Sequence, residues 1–307
     1  METNTLPAYG LPRRIWRALY PTLLFIVALS IIAIIVAVIA VMVQAVGQGL
    51  TDPEQITQMS LDFMAENLMT LNLAGQIAAL IIFVPMWFAT RKKYRRWNGG
   101  KLDIKTILLL IALAIGAYFF ISLGIGLSGL TKIFTSYEAV EASLSSGSIL
   151  LQVLSLGIAA PLVEELCFRG ITLNRLSNAP LWVAIAVQAV LFGVAHMNPL
   201  QGIYAGIIGL LFGYLYTQFR SIWVPLIAHA TFNLVNVGLV ALGDIGDIAD
   251  VTEAAEEAMT TGEVVSSVVM LLCGLGVAVA CFIALKKRMP APVAAEIAAE
   301  PAEDCNI

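Results

Sequence analysis

The chain has 307 residues, of which 59% are hydrophobic and 12% charged, with a formal net charge of −4. That balance excludes an ordinary soluble domain, and there is no basic, aromatic-interleaved pattern of the kind that binds nucleic acid. The four cysteines, Cys167, Cys273, Cys281 and Cys305, lack paired C-x-x-C spacing and read as small hydrophobes rather than disulfides or metal ligands.

In chain order, the hydropathy pattern predicts an all-α, polytopic membrane helix bundle of about eight transmembrane helices. A basic N-terminus with Arg13, Arg14 and Arg17 precedes a long first span, 18–46, too long for the apolar core of a cleaved signal peptide. An acidic loop with Asp52, Glu54, Asp62 and Glu66 leads to a second span, 68–90, which stops at a basic run from Arg91 to Arg96. The third span, 106–130, carries Ser122, Gly124, Gly126 and Ser128, small residues that would allow a close helix contact. A loop with Glu138 and Glu141 precedes the fourth span, 148–168, and a polar link from Gly170 to Ala179 follows it.

The fifth and sixth spans are 181–197 and 200–219. In the sixth, Gly202, Gly206, Gly209 and Gly213 form a stripe for tight packing. A seventh span, 222–242, is separated from the eighth, 264–285, by an acidic loop running from Asp244 to Glu263. Sixteen of the 17 Lys and Arg fall on the side of the N-terminus, Lys132 being the exception. The expected location is therefore the plasma membrane, multi-pass, N-in and C-in. The organisation that follows is a cytoplasmic segment 1–17, N-terminal membrane helices 18–147, a helical core 148–242, an outer acidic loop and last helix 243–288, and a disordered cytoplasmic tail 289–307.

One stretch breaks the apolar pattern. In Pro161-Leu162-Val163-Glu164-Glu165-Leu166-Cys167-Phe168-Arg169-Gly170, two adjacent carboxylates end an apolar run, and they are the only two of 21 Asp and Glu inside a span. An unpaired charge there costs at least a few kcal/mol, which usually marks a functional site. The only two histidines, His196 and His229, also lie in apolar segments.

On a helix, Glu165 and Arg169 share a face four residues apart and can pair, while Glu164 points about 100° away and is left as a candidate general base. His229 and Asn233 have the same i, i+4 spacing, as do Phe192 and His196, where the phenyl ring can shape a cavity wall or restrain the imidazole. Glu164 and His196 are each 16 positions from Pro180, so in a helical hairpin they share a depth about 24 Å from its tip. That requires the tip to protrude through the polar link containing Thr172, Asn174 and Arg175. His229, about seven residues into its helix, lies roughly 10 Å deep, which places the site in the cytoplasmic half of the bilayer.

A carboxylate can activate water for attack on a carbonyl, while histidines and an asparagine amide bind a metal or stabilise the developing oxyanion. The chemistry expected is peptide hydrolysis inside the membrane. H-E-x-x-H, G-x-S-x-G and a Gly-rich phosphate loop are all missing from the sequence.

These residues resemble the CPBP family, which contains type II CAAX prenyl endopeptidases and bacterial Abi-type immunity proteases. Its ordered motifs E-E-x-x-x-R, F-x-x-x-H and H-x-x-x-N read here as Glu164 to Arg169, Phe192 to His196 and His229 to Asn233. The resemblance covers about 155–242. It implies an intramembrane endopeptidase in which Glu164 activates water, Glu165 pairs with Arg169, His196 and His229 bind the catalytic centre, and Asn233 supports the oxyanion. His196, His229 and Glu164 suit zinc by ligand type, and the same groups can polarise water and carbonyl without metal. The expected partners are a membrane-associated peptide or protein substrate and the lipid bilayer, with no nucleic acid.

Two other readings fit the same residues. One is a non-proteolytic membrane scaffold or immunity protein that keeps the polar network, and the other is a proton-coupled or metal-ion transporter. Against the transporter, the polar groups are confined to one cluster, and no inverted repeat of the glutamate-bearing helix occurs elsewhere.

Overall fold

Helices this apolar satisfy their backbone groups internally and leave side chains to meet lipid, so the chain builds a bundle whose outer faces are Ile, Val and Leu. The computed structural model describes residues 11–93, 102–137, 147–177, 179–245 and 260–290. The expectations placed on 1–10, the basic stretch 94–101, Glu138 and Glu141, the acidic run 246–259 and the tail 291–307 with Cys305 lie outside the described residues.

Among the described residues ten helices follow one another: α1 (Leu11–Gly47), α2 (Pro53–Glu66), α3 (Leu68–Lys93), α4 (Ile104–Ser128), α5 (Leu130–Ile133), α6 (Ile149–Leu173), α7 (Leu181–Ala195), α8 (Pro199–Phe219), α9 (Trp223–Ile245) and α10 (Thr261–Lys286). The protein is an all-α polytopic membrane bundle. Seven of these helices are long and apolar enough to cross a bilayer, and α7, the expected fifth span, is an apolar helix of 15 residues.

α2 occupies what reads in the sequence as an acidic loop. The Asp52 side chain accepts from Glu54 N–H and Pro53 opens the first turn, two signals that start a helix irrespective of its polarity. None of its residues is buried.

Successive helices alternate direction, and contacts at both ends fix this. At one end Arg288 pairs with Asp103, Arg175 stands 4.5 Å over the Tyr20 ring, and Gly170 lies against Trp87. At the other end Gly147 abuts Met69, and Asn198 Nδ2 donates to Ser136 Oγ at 3.2 Å. The first end carries Arg17, Arg91, Arg220 and Lys287, and the second carries the exposed acidic α2. These are the basic and acidic ends of the bundle.

Glycines set two of the tightest crossings. A Cβ on Gly202 of α8 would lie 2.9 Å from Gly193 O of α7, so the glycine stripe has its partner in α7. The α4–α10 crossing is at Gly116, where a Cβ would sit 2.7 Å from Gly274 O. The expected contact at Gly124 and Gly126 is not made: the first meets only Leu271 at 3.8 Å and the second nothing within 4 Å.

The polar link after the fourth span is also different from the expectation. α6 winds on to Leu173, and Thr172 and Asn174 are buried. Asn174 Nδ2 donates to Gly170 O at 2.9 Å and to Tyr216 Oη at 2.6 Å, so an apparently polar loop is the sealed end of a helix.

Candidate active site

α6 holds the two glutamates and is not a uniform helix. It winds as π-helix over Val153–Ala159, as α-helix over Ala160–Glu165, and as π-helix again over Leu166–Leu173. The Ala160 N–H bonds Ser155 O, five residues back. In that register the donor for Leu156 O would be residue 161, a proline without an N–H. Asn233 Nδ2 of α9 supplies it at 2.8 Å. π-windings recur at functional sites because they re-aim the following side chains.

The side chains so aimed are asymmetric. Glu165 and Arg169 are wholly buried, and Arg169 Nη1 donates to Glu165 Oε1 at 2.9 Å. The same oxygen lies 2.8 Å from His229 Nδ1. A carboxylate paired with a buried guanidinium only accepts, so His229 carries its proton on Nδ1 and keeps Nε2 for other work. That Nε2 is 3.6 Å from Glu164 Oε2, and the Glu164 side chain is 16% exposed. Glu164 is therefore not isolated, as its helical position alone suggests, but faces the outer nitrogen of a clamped imidazole.

His196 ends α7, and its Nδ1 is 2.8 Å from Phe192 O. A carbonyl accepts, so here too Nδ1 bears the proton and Nε2 is uncommitted. Phe192 stands between the groups: its ring is edge-on to His196 at 4.9 Å and to His229 at 5.8 Å, and the Arg169 guanidinium sits 4.4 Å above it. A ring face beside a desolvated cation is favourable.

Glu164, His196, His229 and Asn233 line one cavity of about 280 Å³, and Glu165 and Arg169 lie behind it. Several lining residues escape a reading of the sequence. Tyr118 Oη donates to Asn236 Oδ1 at 2.8 Å, and Ser155 Oγ donates to Gln76 Oε1 at 3.1 Å. The available signals were spacing ones: Asn236 follows Asn233 by three on the face of His229, and Asn72 and Gln76 are four apart in an otherwise apolar helix.

The donor set of Glu164, His196 and His229 does not close into a metal site: no three His, Cys, Asp or Glu side chains come together as a ligand group among the described residues.

Residues 146–235 match the family model described as type II CAAX prenyl endopeptidase Rce1-like. The similarity to that family is confined to this segment, less than a third of the chain. It contains Glu164, Glu165, Arg169, His196, His229 and Asn233, whereas Asn236 falls one residue beyond it. Over 164 residues the chain is 27% identical to a Bacillus subtilis (strain 168) protein named "Putative membrane peptidase YdiL". That match covers 51% of this chain and 66% of the other, so the chain spans just under two thirds of this relative. No solved structure gives a significant match. The Rce1-like segment comprises α6 to most of α9, and the cavity is completed by α1, α3 and α4 from outside it.

Proposed function

We propose that this protein is an intramembrane endopeptidase that hydrolyses peptide bonds of membrane-associated peptides or proteins. The observation that carries this reading is the 3.6 Å approach of Glu164 Oε2 to His229 Nε2 on the wall of a cavity of about 280 Å³, with His229 oriented from behind by Glu165 and Arg169. The Rce1-like segment and the relative's name agree with it.

In this mechanism Glu164 takes a proton from water as the oxygen attacks the scissile carbonyl, and returns it to the leaving amine. His229 is held in one orientation by Glu165, and with a second proton on Nε2 the imidazolium can donate to the developing oxyanion without reorganisation. His196 Nε2 bears a lone pair in this tautomer and accepts rather than donates, so it does not bind the tetrahedral oxygen. Asn233 has one amide hydrogen on Leu156 O and one left for that oxygen. With Glu164 and Glu165 ionised and Arg169 charged, the cluster has one excess negative charge, which a single proton on Glu164 or His229 neutralises. That balance suits a group that must gain and lose one proton per cycle.

Zinc, suggested by ligand type, has no closed donor group here, so no step is routed through it. The test is cleavage of a membrane-anchored peptide library by purified protein in liposomes, wild type against Glu164→Gln and His229→Ala, each with and without chelator. Loss of cleavage in both folded variants supports the peptidase. Equal cleavage in all three removes it and leaves a polar network in a scaffold. Chelator sensitivity of the wild type would bring a metal into the mechanism.

A further inference from the structure

At the basic end of the bundle, α1 and the turn after α6 bring arginines together. Arg13, Arg17 and Tyr20 are spaced i, i+4, i+7 and share one face of α1. Arg175, two residues past the end of α6, reaches across to that face and places its guanidinium 4.5 Å over the Tyr20 ring. Arg17 lies three residues before Tyr20, so guanidiniums from two separate parts of the chain stand side by side, both half-buried. Among the described residues the one carboxylate at this end is Asp103, and it pairs with Arg288. Burial, and then the charge of Arg17, pull the Arg175 guanidinium down to about 10. Like charges held together partly out of water are unfavourable, and an anion between them removes the penalty.

We propose that Arg17 and Arg175 hold the phosphate of an anionic phospholipid at the membrane surface, beside the ring of Tyr20. Two guanidiniums offer forked donors that match phosphate oxygens, and guanidinium is weakly hydrated and stacks on aromatic rings. The level is right for a headgroup: Trp16 is 58% exposed, its ring lies 6.0 Å from that of Tyr20, and such amphipathic rings settle at the membrane–water interface. The site also has a place for the acyl chains. Leu23, Val27 and Ile34 continue the face of Trp16 along α1, and all are exposed. A headgroup contact joined to an apolar strip selects a lipid over free phosphate, and basic pockets between membrane helices bind anionic headgroups.

Such a lipid would clamp α1 to the end of α6. The same two helices meet deeper in the bundle through Phe25 and Phe168, edge-on at 5.5 Å, and both rings line the cavity that holds Glu164. The headgroup site therefore steadies a wall of that cavity from the membrane surface. It depends neither on the peptidase reading nor on which leaflet the basic end meets.

The test is thermal unfolding of the purified protein in nanodiscs of phosphatidylcholine, with and without phosphatidylglycerol. Wild type is compared with Arg175→Gln, Arg17→Gln and Lys287→Gln; the last removes the same charge from the same end at an exposed position away from Tyr20. Phosphatidylglycerol should raise the wild-type midpoint by about 2 °C or more. That rise should be at least halved in each arginine variant and kept in Lys287→Gln. Arg175→Lys, which keeps the charge and loses the fork, should recover only part of it. Each variant is read against itself in the two lipids, so a change in its intrinsic stability does not enter the comparison. If Arg175→Gln fails to fold, Arg17→Gln carries the test, with native mass spectrometry counting the phosphatidylglycerol molecules that it and the wild type retain. No rise in the wild type, or an equal rise in all variants, overturns the site. An equal loss in Lys287→Gln means attraction to the whole basic end and overturns it too. The same rise from inorganic phosphate in phosphatidylcholine discs overturns the lipid as ligand.

Discussion

Asn233 Nδ2 donates to Leu156 O at 2.8 Å across the interface of α9 and α6. Leu156 needs an external donor because the π-register of α6 assigns its carbonyl to Pro161, which has none to give. A residue chosen from the sequence for its chemistry is thus also what holds the glutamate-bearing helix in its unusual winding.

Replacing Asn233 with Ala should therefore lower stability by about 0.5–1.5 kcal/mol, the net contribution of one part-buried hydrogen bond. Asn233→Ser, with a shorter donor, should recover only part of it. Thermal unfolding in detergent measures both. A wild-type melting curve for Asn233→Ala would show that Leu156 O does not depend on this bond.

The pair behind the site makes a sharper contrast. Glu165 and Arg169 are wholly buried, so removing one partner strands a charge. Glu165→Leu or Arg169→Met alone should cost about 3–5 kcal/mol, whereas the double apolar variant should cost much less. Stability and activity should separate in the double variant, which folds but no longer orients His229 and so cleaves poorly. Parallel melting and cleavage assays decide it; a fully active double variant would rule out the orienting role.

Glu164→Gln should leave folding unchanged and reduce cleavage by roughly 10²- to 10⁴-fold, the usual span for general acid–base catalysis. Glu164→Asp should retain part of the activity with KM little altered, since the change shortens the reach of the base rather than the fit of the peptide.

At the basic end, Asp103 caps α4 and pairs with Arg288. The Thr106 side chain and backbone N–H, and then Arg288, hold its carboxyl below the ordinary 3.8. A carboxyl depressed on folding adds stability above its unfolded value and loses it as pH falls through the folded one. Wild type and Asp103→Asn should thus differ in unfolding midpoint at neutral pH and converge below about pH 3.8. High salt should narrow the neutral-pH difference, because the pair is solvent-exposed.

Two glycines test the packing. Gly116→Ala places a Cβ 2.7 Å from the backbone of α10 and should destabilise the α4–α10 pair, whereas Gly238→Ala meets nothing within 4 Å and should be neutral or stabilising by about 0.5–1 kcal/mol. Equal melting points for the two variants would show that the crossing is not close-packed.

The membrane spans, and the polar residues that stand apart within them, were legible in one dimension because both depend on local composition: an apolar run long enough to cross lipid, and charges too costly to occur there without a partner or a use. The i, i+4 spacing likewise anticipated the contact of Arg169 with Glu165, since a single helix dictates it. What spacing could not supply was everything that depends on which helices meet. Glu164 faces His229 because α6 packs against α9, Gly116 rather than Gly124 meets α10, and Asn174 is buried because Tyr216 arrives from α8. The lining of the cavity, drawn from α1, α3, α4, α6, α7, α8 and α9, is also a product of packing. Hydropathy marks which segments enter the membrane, but long-range side-chain contacts choose their neighbours, and those contacts carry no period along the chain.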